Sequence, residues 1–409
     1  MKKNDNVSII SRRDFCTGVL VGSAALSALP AKAGEVAPKK SVDRKIKIGI
    51  VGLGHRGNLV GDFCRAHGGY EIAAVADYFE NTAQQHGKRL GVPQDKIFSG
   101  LSGYKRILDS GVEALLVMDV PYFYPEQAAA AVDAGCSVYI AKPVAVDIPG
   151  VQAIEAAAKK ATEKKLCFLV DYQLTTDSAN AEVAKRISEG GLGAMAHIYS
   201  GGTGGPWPDP KQGTTIENLL HQGWLSRIAL CGDDIVSYDI HIIDGISWVM
   251  KKEPVSASGL SGVFRKRNGD TTDAGGVVFQ YEDGIIWTHI TQALKNNSTL
   301  HNLSADFMGV SATAHLGYWG KVYVRGGSKH YSGSASKSIY NDGIKVNVAE
   351  FYRCITEGDF ANPTAKRAVD GTITAILGRE AMARKSLVTR DELIRENKKL
   401  TANLKGLKA

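Results

Sequence analysis

The chain is poor in cysteine, with six in 409 residues. Cys16, Cys64, Cys136, Cys167, Cys231 and Cys354 are scattered and form no C-x-x-C pair, which excludes a disulfide scaffold or a cysteine-based zinc framework. They read as small apolar side chains of the interior. Proline is sparse as well, 12 residues against 45 glycines, while hydrophobic residues make up 44% and charged residues 22%. That balance excludes collagen-like and disordered chains. Neither sign of charge predominates: 49 basic against 42 acidic residues leave a net +7, much of it in the lysine-rich ends "MKKNDNVSIISRR" and "ENKKLTANLKGLKA". No basic stripe interleaves with aromatics, so no nucleic-acid partner is expected. What is left is a globular protein long enough for two domains.

The first segment reads as an address. Ser11-Arg12-Arg13-Asp14-Phe15 precedes the apolar, small-residue run "GVLVGSAALSALP" and then Ala31-Lys32-Ala33, an A-x-A cleavage pattern. This resembles a twin-arginine export signal over residues 1–33, cleaved near Ala33, with residues 34–44 as a linker. The apolar run is too short to span a bilayer stably, so no permanent membrane anchor is expected. The expected partner of this segment is the twin-arginine export machinery, and the expected location is periplasmic or otherwise exported.

"IKIGIVGLGHRG", residues 46–57, joins a strand to a glycine turn; "NLVGDFCRAH" continues as a helix and "EIAAVAD" as a second buried strand ending at Asp77. Strand, G-x-G-x-x-G, helix, strand and acid is the dinucleotide-binding pattern. Gly52 permits the turn, Gly54 lets backbone amides approach a pyrophosphate, and Gly57 lets the helix pack on the strand, whose N-terminus favours an anion. Asp77 is placed to accept the ribose hydroxyls and to repel a 2′-phosphate, which favours NAD over NADP, although Arg56 and Lys88 are basic neighbours.

Alternation continues through "GVEALLVMDVP", "PEQAAAAVDAG", "CSVYIAKPV", "IPGVQAIEAAAKKATEKK" and "LCFLVDYQ". Strands joined by helices of this length predict a doubly wound parallel sheet, a Rossmann domain over 45–170. Beyond it, strand-like segments at "AMAHIYSGG", "EPVSASGLSGVF", "GGVVFQYEDGIIWTHITQAL" and "LSADFMGVSATAHLGYWGKVYVRGG" predict a largely antiparallel sheet. Glu282-Asp283-Gly284 reads as a hairpin turn within it. The fold class is therefore α/β, with an α+β substrate and oligomerisation domain over 171–409 whose last helices pack back on the first domain.

The runs "GVEALLVMDVPYFYPEQAAAAVDAGCSVYIAKPVAVD", "CGDDIVSYDIHIIDGISWVM" and "NPTAKRAVDGTITAILGREA" resemble the glucose-fructose oxidoreductase, inositol dehydrogenase and rhizopine-catabolism (Gfo/Idh/MocA) family. That resemblance implies an NAD(P)-dependent oxidoreductase acting on sugars or polyols, with a lysine after the fifth strand and a histidine on a substrate-site helix. It points to Lys142 and His241 as the catalytic pair. Two positions depart from the family's pattern: Ala141 stands where a glutamate is usual, and Ser237 where many relatives carry an acid one turn before the histidine.

The residues make chemical sense in those roles. Oxidising a carbinol needs a group to take or stabilise the hydroxyl proton while hydride leaves the same carbon. Lys142, stiffened by Pro143 at a strand end, can do so. Ser237, His241, Asp244 and Trp248 are spaced to share a helix face opposite Ile235, Ile242, Ile246 and Val249, with Asp244 or Asp239 available to orient the imidazole. Asp233-Asp234 suits the start of that helix. No second histidine sits one turn away, so no metal is expected. By position, the cofactor candidates are Gly52, Gly54, His55, Arg56, Gly57, Asp77, Asp119, Pro121, Tyr124, Lys142 and Gln173, with Tyr122 also in the crevice. The substrate candidates are Lys142, Tyr172, Trp224, Ser237, Asp239 and His241; the aromatics Trp207, Tyr318 and Trp319 offer faces for a sugar. A homo-oligomer is expected.

Export constrains the chemistry. Outside the cytoplasm there is no pool of free NAD, so an exported member must leave with its dinucleotide held and restore it within each cycle. That admits paired sugar oxidation and reduction, or a redox-neutral glycoside hydrolysis through oxidation, elimination, hydration and reduction. A catalytically silent sugar-binding protein of the same fold is the third expectation.

Overall fold

Ile46, Ile48 and Ile50 are wholly buried because their strand, β1 (Ile46–Val51), lies in the middle of a parallel sheet with both faces covered. The structure, a computed structural model, describes residues 44–265, 267–296 and 302–409. The export signal expected at 1–33 and all but the last residue of the linker lie outside them.

Six strands form the first sheet: β1, β2 (Tyr70–Asp77), β3 (Ile97–Ser99), β4 (Ala114–Val117), β5 (Ser137–Ile140) and β6 (Phe168–Val170), in the order β3-β2-β1-β4-β5-β6. All five pairings are parallel. The order reverses between β1 and β4, and the crevice beyond the C-terminal strand ends at such a switch point is where a dinucleotide sits. Helices between the strands begin where the sequence supplies caps: Asp147 accepts from Gly150 N at 2.8 Å to start the helix Ile148–Glu163.

The second sheet has nine strands, ordered β14-β13-β12-β11-β7-β10-β9-β8-β15. They are β7 (Met195–Gly204), β8 (Ser256–Gly262), β9 (Ala274–Gln280), β10 (Ile286–Ala293), β11 (Ser304–Gly309), β12 (Ala312–Gly317), β13 (Lys321–Gly326), β14 (Tyr331–Ser334) and β15 (Val388–Thr389). Only β7 and β10 run parallel; the other pairs are antiparallel. Gly284, at φ +85°, turns the β9–β10 hairpin, and its amide donates to Tyr281 O at 3.0 Å. The α/β fold with a parallel and a mostly antiparallel sheet is the one the sequence predicts. Among the described residues no helix is long and apolar enough to cross a membrane.

Helix Pro363–Arg384 is buried along most of its length and packs on β6, β8 and the helix Ile148–Glu163. Gly378 permits this: a Cβ there would meet Phe279 and Ile235 at 2.8 and 2.9 Å. The five described cysteines are all buried and free.

One local expectation is corrected. Ser237 and His241 do not share a continuous helix: Asp234–Ser237 is one helix and Ile240–Met250 the next. Between them Asp239 N reaches back to Asp234 O while Ile242 N bonds Asp239 O, breaking the i to i−4 ladder. Asp239 is drawn out of register by the second sheet, lying against Gly202 and 3.0 Å from His289 Nε2. Every residue from Ile240 to Ser247 is buried, so the face that carries His241 and Asp244 is closed to solvent.

Candidate active site

The glycine turn has the three separate backbone requirements that a dinucleotide cradle needs. Gly52 sits at φ +85°, and a Cβ there would lie 2.5 Å from Asp119 N. At Gly57 a Cβ would fall 1.9 Å from Gly52 O, so only glycine lets the helix His55–His67 start against the turn. At Gly54, in contrast, nothing lies within 4 Å. The first and third glycines are needed by the fold itself; the second borders open space at a helix N-terminus, which fits a pyrophosphate.

Asp77 ends β2 beside this turn. Its carboxylate accepts Leu53 N at 2.8 Å and Phe79 N at 2.9 Å. Burial raises its pKa, and those amides oppose the rise. Each oxygen keeps a second lone pair for a ribose hydroxyl. Asp119, after β4, accepts Val120 N and Gln127 Nε2, both at 2.8 Å. Burial pushes its pKa up to about 6 against these bonds, with Asp77 adding repulsion. Pro121 opens the short turn Pro121–Phe123, and Tyr124 is buried at the start of the next helix. His55 is exposed at the first position of the helix after the turn.

Lys142 follows β5 and crosses to the segment carrying the histidine: its Nζ donates to Ser237 O at 2.9 Å. His241 is buried, with Nδ1 2.8 Å from the Tyr318 hydroxyl. Burial, then the positive charges of Lys142 and Arg56, hold its pKa well below the usual imidazole value, so the ring is neutral at physiological pH. Nδ1 is thus engaged by Tyr318, and Nε2 is the ring nitrogen left for a ligand.

Neither acid expected to orient His241 does so. Asp244 accepts Arg367 Nε at 2.6 Å, and Asp239 engages His289. Arg56 is not held at the ribose: its guanidinium is ion-paired with Asp171 and lies 4.5 Å from the centroid of the Tyr340 ring. Lys88 is exposed at the far end of the helix Glu80–Leu90. Asp171 also accepts Gln173 Nε2 at 3.0 Å and Asn347 Nδ2 at 2.9 Å. Tyr172 is buried, its ring centroid 6.0 Å from the Arg367 guanidinium. Trp224 packs with Leu219, Leu220, Leu230 and Val120 beside Tyr78 and Phe79, on the β2 side of the crevice. Trp207 donates to Asp234 at 2.8 Å.

Buried polar atoms around this centre without a hydrogen-bond partner among the described residues include Arg56 Nη1, Gln173 Oε1 and Ser237 Oγ. Each sits on a residue linked to the Lys142–His241 region by contact or charge. Buried polar groups are otherwise nearly always satisfied, so donors and acceptors lacking partners here fit a polar ligand.

Residues 46–172 match the family described as an oxidoreductase family with an NAD-binding Rossmann fold. That match spans the whole six-stranded parallel sheet. Inositol 2-dehydrogenase 3 of Saccharopolyspora erythraea is 26% identical over 215 residues, 52% of this chain and 56% of that protein; the chain thus aligns with little more than half of this curated relative. The solved levoglucosan dehydrogenase in complex with NADH superposes with TM-score 0.68 at 15% identity, covering 85% of this chain and 99% of the other. The aldose-aldose oxidoreductase of Caulobacter crescentus, complexed with glycerol, gives 0.67 at 19%, covering 85% and 100%. At these identities the likeness is one of fold, and it extends through the second sheet as well as the NAD-binding domain.

Proposed function

We propose that this protein transfers a hydride between a tightly held NAD and a hydroxyl group of a sugar or polyol. The observation that carries the reading is the set of unpartnered polar atoms at Arg56, Gln173 and Ser237 beside Lys142 and His241, at the end of the dinucleotide crevice. Such a lining suits a ligand rich in hydroxyls. The names of the relatives, dehydrogenases of inositol and levoglucosan and an aldose oxidoreductase, support the same substrate class. Bound NAD supplies the hydride acceptor. His241, neutral and protonated on Nε2, donates a hydrogen bond to the reacting oxygen and stabilises it. Lys142, as the amine, takes the hydroxyl proton in oxidation and, as the ammonium, returns it in reduction.

The twin-arginine-like segment supports export with the cofactor already bound, and Asp77 supports NAD over NADP. A second copy of the chain suits the outer face of the large sheet, where Leu260, Val278 and Ile286 on the adjacent strands β8, β9 and β10 are 65%, 41% and 44% exposed.

The test is to follow bound NAD at 340 nm while the purified protein is offered free and aryl glycosides, sugars and polyols. A substrate should build or bleach the NADH band; Lys142→Ala and His241→Ala should each slow this roughly 10²-fold or more while the dinucleotide stays bound. A stable keto-sugar would mark a dehydrogenase. Released aglycone with solvent deuterium in the ring would mark the redox-neutral glycosidase. Wild-type rates in both variants, or no response to any sugar, would leave a silent binding protein.

A further inference from the structure

We infer that residues Leu400–Ala409 are a clasp laid across the dinucleotide crevice, which keeps NAD from dissociating. The inference rests on the reading of a tightly held NAD and supplies its physical cause.

The path of the segment follows the strand order. Leu400 N donates to Asp147 Oδ2 at 2.7 Å, just beyond β5 and Lys142. Ala402 and Leu407 pack on the apolar cluster that includes Val120, immediately after β4. Lys408 N donates to Tyr78 Oη at 3.2 Å, one residue past Asp77 and β2. Lys408 O accepts Leu101 N at 3.1 Å, just past β3. The segment therefore touches the C-terminal ends of β5, β4, β2 and β3 in turn. From β5 to β3 the sheet spans about 19 Å at roughly 4.8 Å per strand, and the stretch from Leu400 to Lys408 reaches at most about 28 Å, so it is long enough to cross.

The strand passed over is β1, whose end is the glycine turn. Among the described residues none of the segment's hydrogen bonds falls on Gly52–Gly57, and the space beside Gly54 is clear to 4 Å. The segment bridges the pyrophosphate position without filling it, which is the geometry of a clasp and not of a plug. The helix Ile216–Gln222 closes on the same end: Tyr78 Oη donates to Glu217 at 3.0 Å, and the His221 ring meets Phe79 edge-on at 5.1 Å. A dinucleotide beneath both segments can leave only after one of them lifts.

The experiment compares the full chain with a form ending at Asn397 and with full-length Leu407→Asp, which keeps the clasp's backbone bonds but places a charge in its apolar contact. Each is loaded with NAD, desalted, and followed for release of dinucleotide during exchange against a fluorescent NAD analogue; thermal unfolding checks that each is folded. The full chain should retain NAD through dialysis, and both variants should release it about tenfold faster or more, equivalent to roughly 1.4 kcal/mol. Equal release rates from folded variants would overturn the clasp and leave the NAD reading standing. Faster and tighter loading of the shortened form would overturn it too, showing a plug. Failure of the full chain to bind NAD at any concentration would overturn the NAD reading and the clasp together.

Discussion

His241 Nδ1 lies 2.8 Å from the hydroxyl of Tyr318, 77 residues away in sequence. The contact occupies Nδ1, so Nε2 is the ring nitrogen left for a ligand. In the proposed reaction the Tyr318 hydroxyl donates to Nδ1, which makes Nε2–H the donor to the reacting oxygen and leaves proton uptake to Lys142.

Tyr318→Phe should therefore lower turnover by about 10-fold, the low end of what a mispositioned acid-base group costs, and leave NAD binding unchanged. Without the hydroxyl the two tautomers become competitive. In a His241→Ala background the same change should add almost nothing, since the tyrosine acts through the histidine. Equal, additive losses in the two backgrounds would show Tyr318 acting elsewhere.

The glycine turn gives a sharper separation of fold from function. Gly57→Ala places a Cβ 1.9 Å from Gly52 O and should cost about 1–3 kcal/mol of stability along with dinucleotide binding. Gly54→Ala meets nothing within 4 Å. It should melt at the wild-type temperature yet bind NAD much more weakly, because its methyl enters the space left for the pyrophosphate. Calorimetry paired with a binding titration reads both; tight binding by Gly54→Ala would place the cofactor elsewhere.

That contrast also shows why the turn was legible in the sequence and the rest of the centre only in part. Gly57, the positive φ of Gly52 and the Gly284 hairpin answer to backbone requirements within a few residues, so the chain announces them locally. Periodicity places Lys142 at the end of a buried strand, while its role is implied only by the family resemblance. Asp171 ends β6 in the same way, in "LCFLVDYQ", and the logic applied to Asp77 would have singled it out. Tyr318 carries no such mark, since its pairing with His241 exists only once the residue after β12 meets the helix Ile240–Met250. The helix break at Tyr238–Asp239 is likewise imposed by Gly202 and His289, from other strands.

Asp119 provides a test in pH. Its pKa is about 6 in the folded protein against 3.8 for the free side chain. Below 3.8 both states are protonated and the group is neutral in its effect. As pH rises through 6 the folded state holds a buried charge that the unfolded state solvates freely, so stability is lost across that window. The upper limit is about 3 kcal/mol, and less is expected because the residue is only half-buried. Asp119→Asn should match wild type near pH 4 and be more stable by about 1–2 kcal/mol at pH 8, helped by Gln127 Oε1, a buried acceptor without a partner. Chemical denaturation at the two pH values measures it. A difference of the same size at both would mean that Asp119 is not the titrating group.

Asp77 tests cofactor choice. Its two oxygens hold Leu53 N and Phe79 N, so alanine would strip two backbone amides of their acceptor as well as remove the charge. Asp77→Asn is the cleaner change, since it removes the charge while keeping one oxygen. Arg56 is committed to Asp171 and is not available to attract a 2′-phosphate, so the discrimination should come from Asp77 repulsion alone. The substitution should narrow the preference for NAD over NADP by about 10-fold, near the 1.4 kcal/mol expected for one close charge in a partly solvated site. It should do so chiefly by strengthening NADP binding. Calorimetric titration of both dinucleotides checks the ratio, and an unchanged ratio would mean that another residue reads the ribose.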